Sequence, residues 1–209
     1  RPRRALRDRR RDGGAAMTGP APSEYGWWLA SRAAGVVALV CITLAVGLGL
    51  ALGGKVASSK PGLPRVLLKV HEHAALAGLV AIAVHGITLL GDAWLKASVV
   101  DIAVPFASDV KPLWVGLGTT GGWLAAALGL SFYAKKRIGV KLWRKLHRAT
   151  IVVYVLSVAH TLGAGTDASE PWMQAFLLAT GAPILFLLTM RVLPRDGVVT
   201  VRWQRSASS

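Results

Sequence analysis

Cysteine is almost missing from this chain: Cys41 stands alone, inside a long apolar run. Intrachain disulfides, cysteine-based metal sites and covalent haem attachment through a C-x-x-C-H sequence are thereby excluded. Carboxylates are scarce too, with ten Asp and Glu against 25 Lys and Arg in 209 residues. Walker-type phosphate loops, G-x-G-x-x-G turns, H-E-x-x-H sites and internal repeats do not occur. Charge of either sign reaches only 17% of positions, hydrophobic residues make up 53%, and the mean hydropathy is +0.48. That balance excludes an ordinary soluble domain and points to a lipid bilayer as the chain's surroundings.

The few charges are segregated. Uncharged windows cover Ala33–Gly54, His73–Gly91, Pro112–Ala134, Ala149–Thr166 and Pro171–Met190, each between 18 and 23 residues long. A spanning helix needs roughly 17–25 apolar residues. The expected fold is an all-α membrane protein, a bundle of five transmembrane helices over residues 25–193, with tails over 1–24 and 194–209 and no room for a soluble catalytic domain. A formal net charge of +15 would suggest nucleic acid for a soluble protein; here it reports orientation. Lys55, Lys60, Arg65 and Lys69, then the run from Lys135 to Arg148, then Arg191 to Arg205 gather on one side, whereas Glu24, Asp92, Asp101, Asp109, Asp167 and Glu170 fall on the other. The positive-inside rule places the N-terminus outside and the C-terminus in the cytoplasm, with no nucleic-acid partner. The segment RPRRALRDRRRD, with seven arginines, runs against that topology. Because Met17 opens a more ordinary start, residues 1–16 are read as upstream sequence, the alternative being a genuine disordered basic arm.

Histidine carries the chemistry. Of five histidines, His71 and His85 lie in the second apolar stretch and His147 and His160 at the two ends of the fourth. At 1.5 Å rise per residue, each pair along a helix is about 20 Å apart, so two such helices side by side form one imidazole pair near each membrane face. Two neutral imidazoles suit a six-coordinate haem built for electron transfer. Zinc would need four ligands at one point, and neither pair has a cysteine or carboxylate beside it. The expected cofactors are therefore two b-type haems with bis-histidine ligation drawn from His71, His85, His147 and His160. His71 and His85 fall about 40° apart around an ideal helix, whereas His73 and His85 differ by about 120°, which leaves His73 an interfacial or hydrogen-bonding role. The 13-residue step from His147 to His160 leaves about 140° between them, so either a local distortion of that helix or a haem approached from different flanks is needed.

Other segments frame these pairs. Tyr25, Trp27 and Trp28 read as an aromatic interfacial anchor. Arg32, one turn into the first span, reads either as a partner for a haem propionate or as a snorkelling cation. Arg144, Lys145 and Arg148 beside His147 read as neutralising inner propionates, docking an acidic donor, or simply setting topology. The stretch from Gly91 to Trp114 is expected to lie along the membrane surface over the outer haem. GLGTTGGW opens the third span with small residues that permit close packing. VVTVRW near the C-terminus reads as a brief strand or docking peptide.

The histidine spacing, together with WWLASRAAGVVAL, DIAVPFASDVKPLWVGLGT, RIGVKLWRKLH and HTLGAGTD, resembles the ferric-reductase-like transmembrane domain, the haem-bearing core of ferric reductases, NADPH oxidases and the membrane subunit of the bacterial periplasmic methionine sulfoxide reductase system. The resemblance runs from about Gly26 to Leu193 and is closest to actinobacterial stand-alone members. It implies a bacterial cytoplasmic membrane, haem ligation by His71 with His147 on the inner side and by His85 with His160 on the outer side, and a relay without the flavin and nicotinamide domains of the larger members. The expected function is transmembrane electron transfer from a separate flavoprotein or quinol donor to an extracytoplasmic acceptor, with enzyme status open. The alternatives are a quinol-oxidising membrane anchor of a periplasmic reductase and a haem-free structural membrane protein.

Overall fold

The computed structural model describes residues 22–53 and 61–192. The expectations for both tails, for Met17 and for the basic turn at 54–60 lie outside the described residues. Within them every regular element is a helix: α1 (Pro22–Gly53), α2 (Leu63–Leu89), α3 (Val99–Ala103), α4 (Pro112–Ile138), α5 (Val140–His147), α6 (Thr150–Ala164) and α7 (Pro171–Val192). Four of these are long and apolar enough to cross a membrane, namely Tyr25–Gly53 of α1, α2, α4 and α7. Their outward faces carry large apolar side chains such as Leu44, Leu76, Ile87, Leu130, Leu178 and Phe186, which a bilayer covers at no cost.

The fourth uncharged window behaves differently from the other four. It yields α6, only 15 residues and about 22 Å long, short of the roughly 30 Å hydrocarbon core. The reason lies at Arg148 and Ala149, where the helix tightens. The amides of Ala149, Ile151 and Val152 bond to carbonyls three residues back, at 2.9, 3.4 and 2.9 Å, and the Thr150 hydroxyl donates to the His147 carbonyl at 2.9 Å. This turn divides the chain into α5, which is basic and exposed, and α6, which is apolar.

Backbone stops define the other boundaries. Gly62 (φ 86°) and Gly139 (φ 85°) take left-handed conformations open to glycine, the first ahead of Pro64 in the opening turn of α2 and the second between α4 and α5. Ser98 and Asp101 close a capping box on α3, and the Ser98 amide and hydroxyl hold the Asp101 carboxyl below its usual range. The segment that carries α3 folds back on the bundle: Ile102 lies over Gly86, Phe106 over Gly116, and the Trp123 indole donates to the Ala103 carbonyl at 2.8 Å.

Packing places α1 along α2, α2 against α4, α4 against α6 and α6 against α1, with α7 on the outside of α1. These contacts make a four-membered ring in which α2 and α6 stand diagonally, outside the set of close-packed pairs. Midway along the ring sits an apolar layer. Val46, Tyr154 and Ile184 join α1, α6 and α7, while Ala125, Leu128 and Val153 pack with Leu79 and Ile82 to join α4, α6 and α2.

Candidate functional site: two histidine pairs

Helix α2 faces α6 and the end of α5, and this brings the four histidines together two by two, His71 and His85 of α2 meeting His147 of α5 and His160 of α6. The rings of His71 and His147 have centroids 6.0 Å apart at an interplanar angle of 83°, and those of His85 and His160 are 6.2 Å apart at 73°. The His71/His147 pair lies at the end of the bundle that carries Lys135, Lys136, Arg137, Arg144 and Lys145, here the basic end. His85 and His160 lie at the opposite, acidic end with Asp92, Asp167 and the start of α1. The helix tightens directly after His147, a local distortion of the kind that was one of the two options the 13-residue step left open. Three residues wound at 120° rather than 100° bring the offset between His147 and His160 from about 140° to about 80°.

Three of the four rings are held from a neighbouring helix by one device. The His71 Nδ1–H donates to the Ala45 carbonyl at 2.8 Å, that of His85 to the Ser31 carbonyl at 2.8 Å, and that of His160 to the Trp114 carbonyl at 2.9 Å. In each case the residue four positions on is glycine: Gly49, Gly35 and Gly118. The physical reason is direct. In a helix the carbonyl of residue i already bonds the amide of residue i+4, so a second donor must approach over residue i+4, where a Cβ stands in its way. A Cβ on Gly35 would come 3.1 Å from His85 Nδ1, one on Gly49 3.4 Å from His71 Cε1, and one on Gly118 2.7 Å from His160 Cγ. Ser31 and Ala45 are separated by the same 14 residues as His71 and His85, so the antiparallel helices α1 and α2 repeat the device once at each end.

His147 is different. Its Nδ1 is buried with no hydrogen-bond partner among the described residues. Its ring is stacked on Trp143 of its own helix, centroids 5.0 Å apart and 24° from parallel, and Trp143 packs edge-on against Phe132 at 6.0 Å. Lys135 Nζ lies 3.5 Å above the Phe132 ring.

A carbonyl only accepts, so three of the histidines carry their proton on Nδ1 and keep the Nε2 lone pair free. That is the arrangement of a metal-binding histidine whose other nitrogen is fixed by a second partner. One metal ion bridging two imidazoles in line, with bonds of about 2 Å, sets ring centroids about 6 Å apart; both pairs stand at that separation. Among the described residues no three His, Cys, Asp or Glu side chains gather as a metal site. No family model, curated protein or solved structure matches this chain.

The remaining candidate residues take clear positions. Arg32 finds an anion within the chain: its Nε donates to Asp167 Oδ2 at 2.7 Å and its Nη2 to Oδ1, beneath the Trp28 ring. Asp167 is buried and ties the loop after α6 to α1 beside the His85/His160 pair. Arg144, Lys145 and Arg148 are exposed around His147. His73 is exposed and donates to the Lys69 carbonyl at 2.7 Å, the hydrogen-bonding role expected of it. Sequence reasoning did not identify the Ser31, Ala45 and Trp114 carbonyls, the three glycines, Asp167 as the partner of Arg32, or Trp143. A carbonyl leaves no trace in sequence. The matched 14-residue spacings of Gly35 to Gly49 and His71 to His85 were the available signal.

Proposed function

We propose that this chain is a di-haem b transmembrane electron-transfer protein, in which His71 and His147 would hold one haem at the cytoplasmic side and His85 and His160 the other at the outer side. The observation that carries the reading is the equal separation of the two imidazole pairs, each matching a pair bridged by one metal ion. The diagonal placement of α2 and α6, outside close backbone contact, supports it, because two helices bridged across a macrocycle must stand apart. The resemblance to the ferric-reductase-like transmembrane domain supports it as well. Haem, when bound, supplies a one-electron iron couple.

The chain's own residues do the rest. The Ala45, Ser31 and Trp114 carbonyls fix the tautomer and orientation of three ligands and raise their basicity. The layer around Val46, Val153 and Tyr154 keeps water from the space between the two pairs. Arg144, Lys145 and Arg148 neutralise propionates at the basic end or dock an acidic donor, and Arg32 with Asp167 closes the other end. In this reading α6 is the fifth span, lengthened at the cytoplasmic side by α5. Electrons enter at the basic end from a separate flavoprotein or from quinol and leave to an extracytoplasmic acceptor.

The test is the absorption spectrum of the detergent-purified chain, oxidised and dithionite-reduced, with a pyridine haemochrome assay of haem per chain. Two b-type haems, falling to about one in His85→Ala, are expected. Folded protein without haem, made under haem supply, would overturn the proposal.

A further inference from the structure

The two pairs are equal in separation and unequal in support. At the acidic end both rings are anchored across a helix interface, His85 to Ser31 and His160 to Trp114. At the basic end only His71 is anchored, to Ala45. Among the described residues His147 has no cross-helix hydrogen bond and its buried Nδ1 has no partner, and what fixes its ring is the face of Trp143, one turn earlier on the same helix. It also stands at the last position of α5, directly before the tightened turn. A ring held by stacking on its own short helix moves with that helix, whereas a ring bonded to a neighbouring helix resists such motion.

We propose that His147 is the exchangeable ligand of the four, positioned by Trp143 alone, and that the basic-end pair is consequently a binding site for a small exogenous iron ligand of the carbon monoxide or cyanide class. The acidic-end pair takes up the same molecule only at higher concentration. This inference rests on the two-haem reading. Removal of the outer-shell partner of a metal-bound histidine lowers metal affinity about 10–100-fold, and His147 lacks that partner from the start. Carbon monoxide therefore displaces His147 at concentrations about 10-fold or more below those that displace any of the other three. The exchange is a simple substitution at ferrous iron: the Nε2–iron bond breaks, the carbon–iron bond forms, and no electron or proton is transferred.

The experiment titrates carbon monoxide into the dithionite-reduced, detergent-purified full chain and follows the difference spectrum, with haem per chain counted beforehand. The expected result is conversion of one haem of the two. The same carbon monoxide response should persist in His85→Ala, where only the basic-end pair is intact. Trp143→Ala should shift half-conversion to lower carbon monoxide, and Trp143→Phe, which keeps an aromatic face, should restore the wild-type position. Two haems of which neither reacts, two that react alike, or loss of the response in His85→Ala with one haem retained would each overturn the assignment of His147 while leaving the two-haem reading standing. A haem count of zero in folded protein would instead remove the reading on which it rests. Cyanide added to the oxidised protein gives an independent check on the wild type alone, with the same one-of-two stoichiometry expected.

Discussion

The acidic-end and basic-end histidine pairs are built from the same residue type at almost the same separation, 6.2 and 6.0 Å between ring centroids, yet they are held in different ways. At the acidic end, two helices each lend a carbonyl, α1 through Ser31 and α4 through Trp114, and an ion pair between Arg32 and Asp167 closes the perimeter. At the basic end a single carbonyl serves one ring, while the other ring rests on an indole. Distance between ligands and rigidity of ligands are therefore separate properties of a site, set by different residues. The first comes from helix placement, the second from what each Nδ1 meets.

The largest expected effect comes from filling the space that the acidic-end pair depends on. Gly118→Ala places a methyl group against the His160 ring, a steric conflict of the kind that costs about 1–3 kcal/mol in a packed interior. It should displace His160 from the Trp114 carbonyl, so that, on the proposed two-haem reading, haem per chain drops from two to about one while the basic-end pair keeps its spectrum. Retention of both haems with unchanged spectra would show that the glycine at i+4 is not what admits the ring.

Next is Asp167→Ala, which strips Arg32 of its partner and releases the loop after α6. A fall of a few degrees in the midpoint of thermal unfolding is expected, with the acidic-end haem lost before the basic-end haem on heating. Simultaneous loss of both would mean that the ion pair stabilises the bundle as a whole.

The smallest effect is also the most discriminating. Gly35→Ala and Gly49→Ala apply one substitution to the same device at its two ends. Helix propensity favours each by about 1 kcal/mol, but the new Cβ would lie 3.1 Å from the His85 ring and 3.4 Å from the His71 ring. The first should weaken haem retention at the acidic end; the second should leave retention intact and raise thermal stability slightly. Equal behaviour of the two variants would remove the steric account of the device.

Much of this architecture was legible in the residues. Apolar windows of spanning length locate α4 and α7 within a few residues and the C-terminal ends of α1 and α2, while α1 and α2 begin about ten residues earlier, running through charged positions such as Arg32, Arg65 and Lys69. The histidine spacings place one histidine near each end of the two helices. The fourth window was the exception, because hydropathy records where charge is absent and says nothing of the tightened turn at Arg148 and Ala149 that shortens α6. That same turn reduces the 140° offset, for which the spacing left either a distorted helix or ligands on different flanks. Arg32 showed itself as a cation in need of an anion, and its anion proved to be Asp167, 135 residues away, a pairing that only the fold brings about. Trp143 was hidden in a basic run whose charges drew the attention, although its position one turn before His147 is the spacing at which two rings on a helix meet.

The register of α1 has a consequence for what the chain can tolerate. Ser31 and Ala45 are read by His85 and His71 as two marks on one rod, and the interval between them must equal the interval on α2. Deleting or inserting a single residue anywhere from Arg32 to Leu44 would turn one mark by about 100° and slide it by about 1.5 Å relative to the other. No rigid shift of α1 could then bring both marks back at once. The first helix is thus a gauge whose composition is free to vary at most positions while its length between those two carbonyls is not.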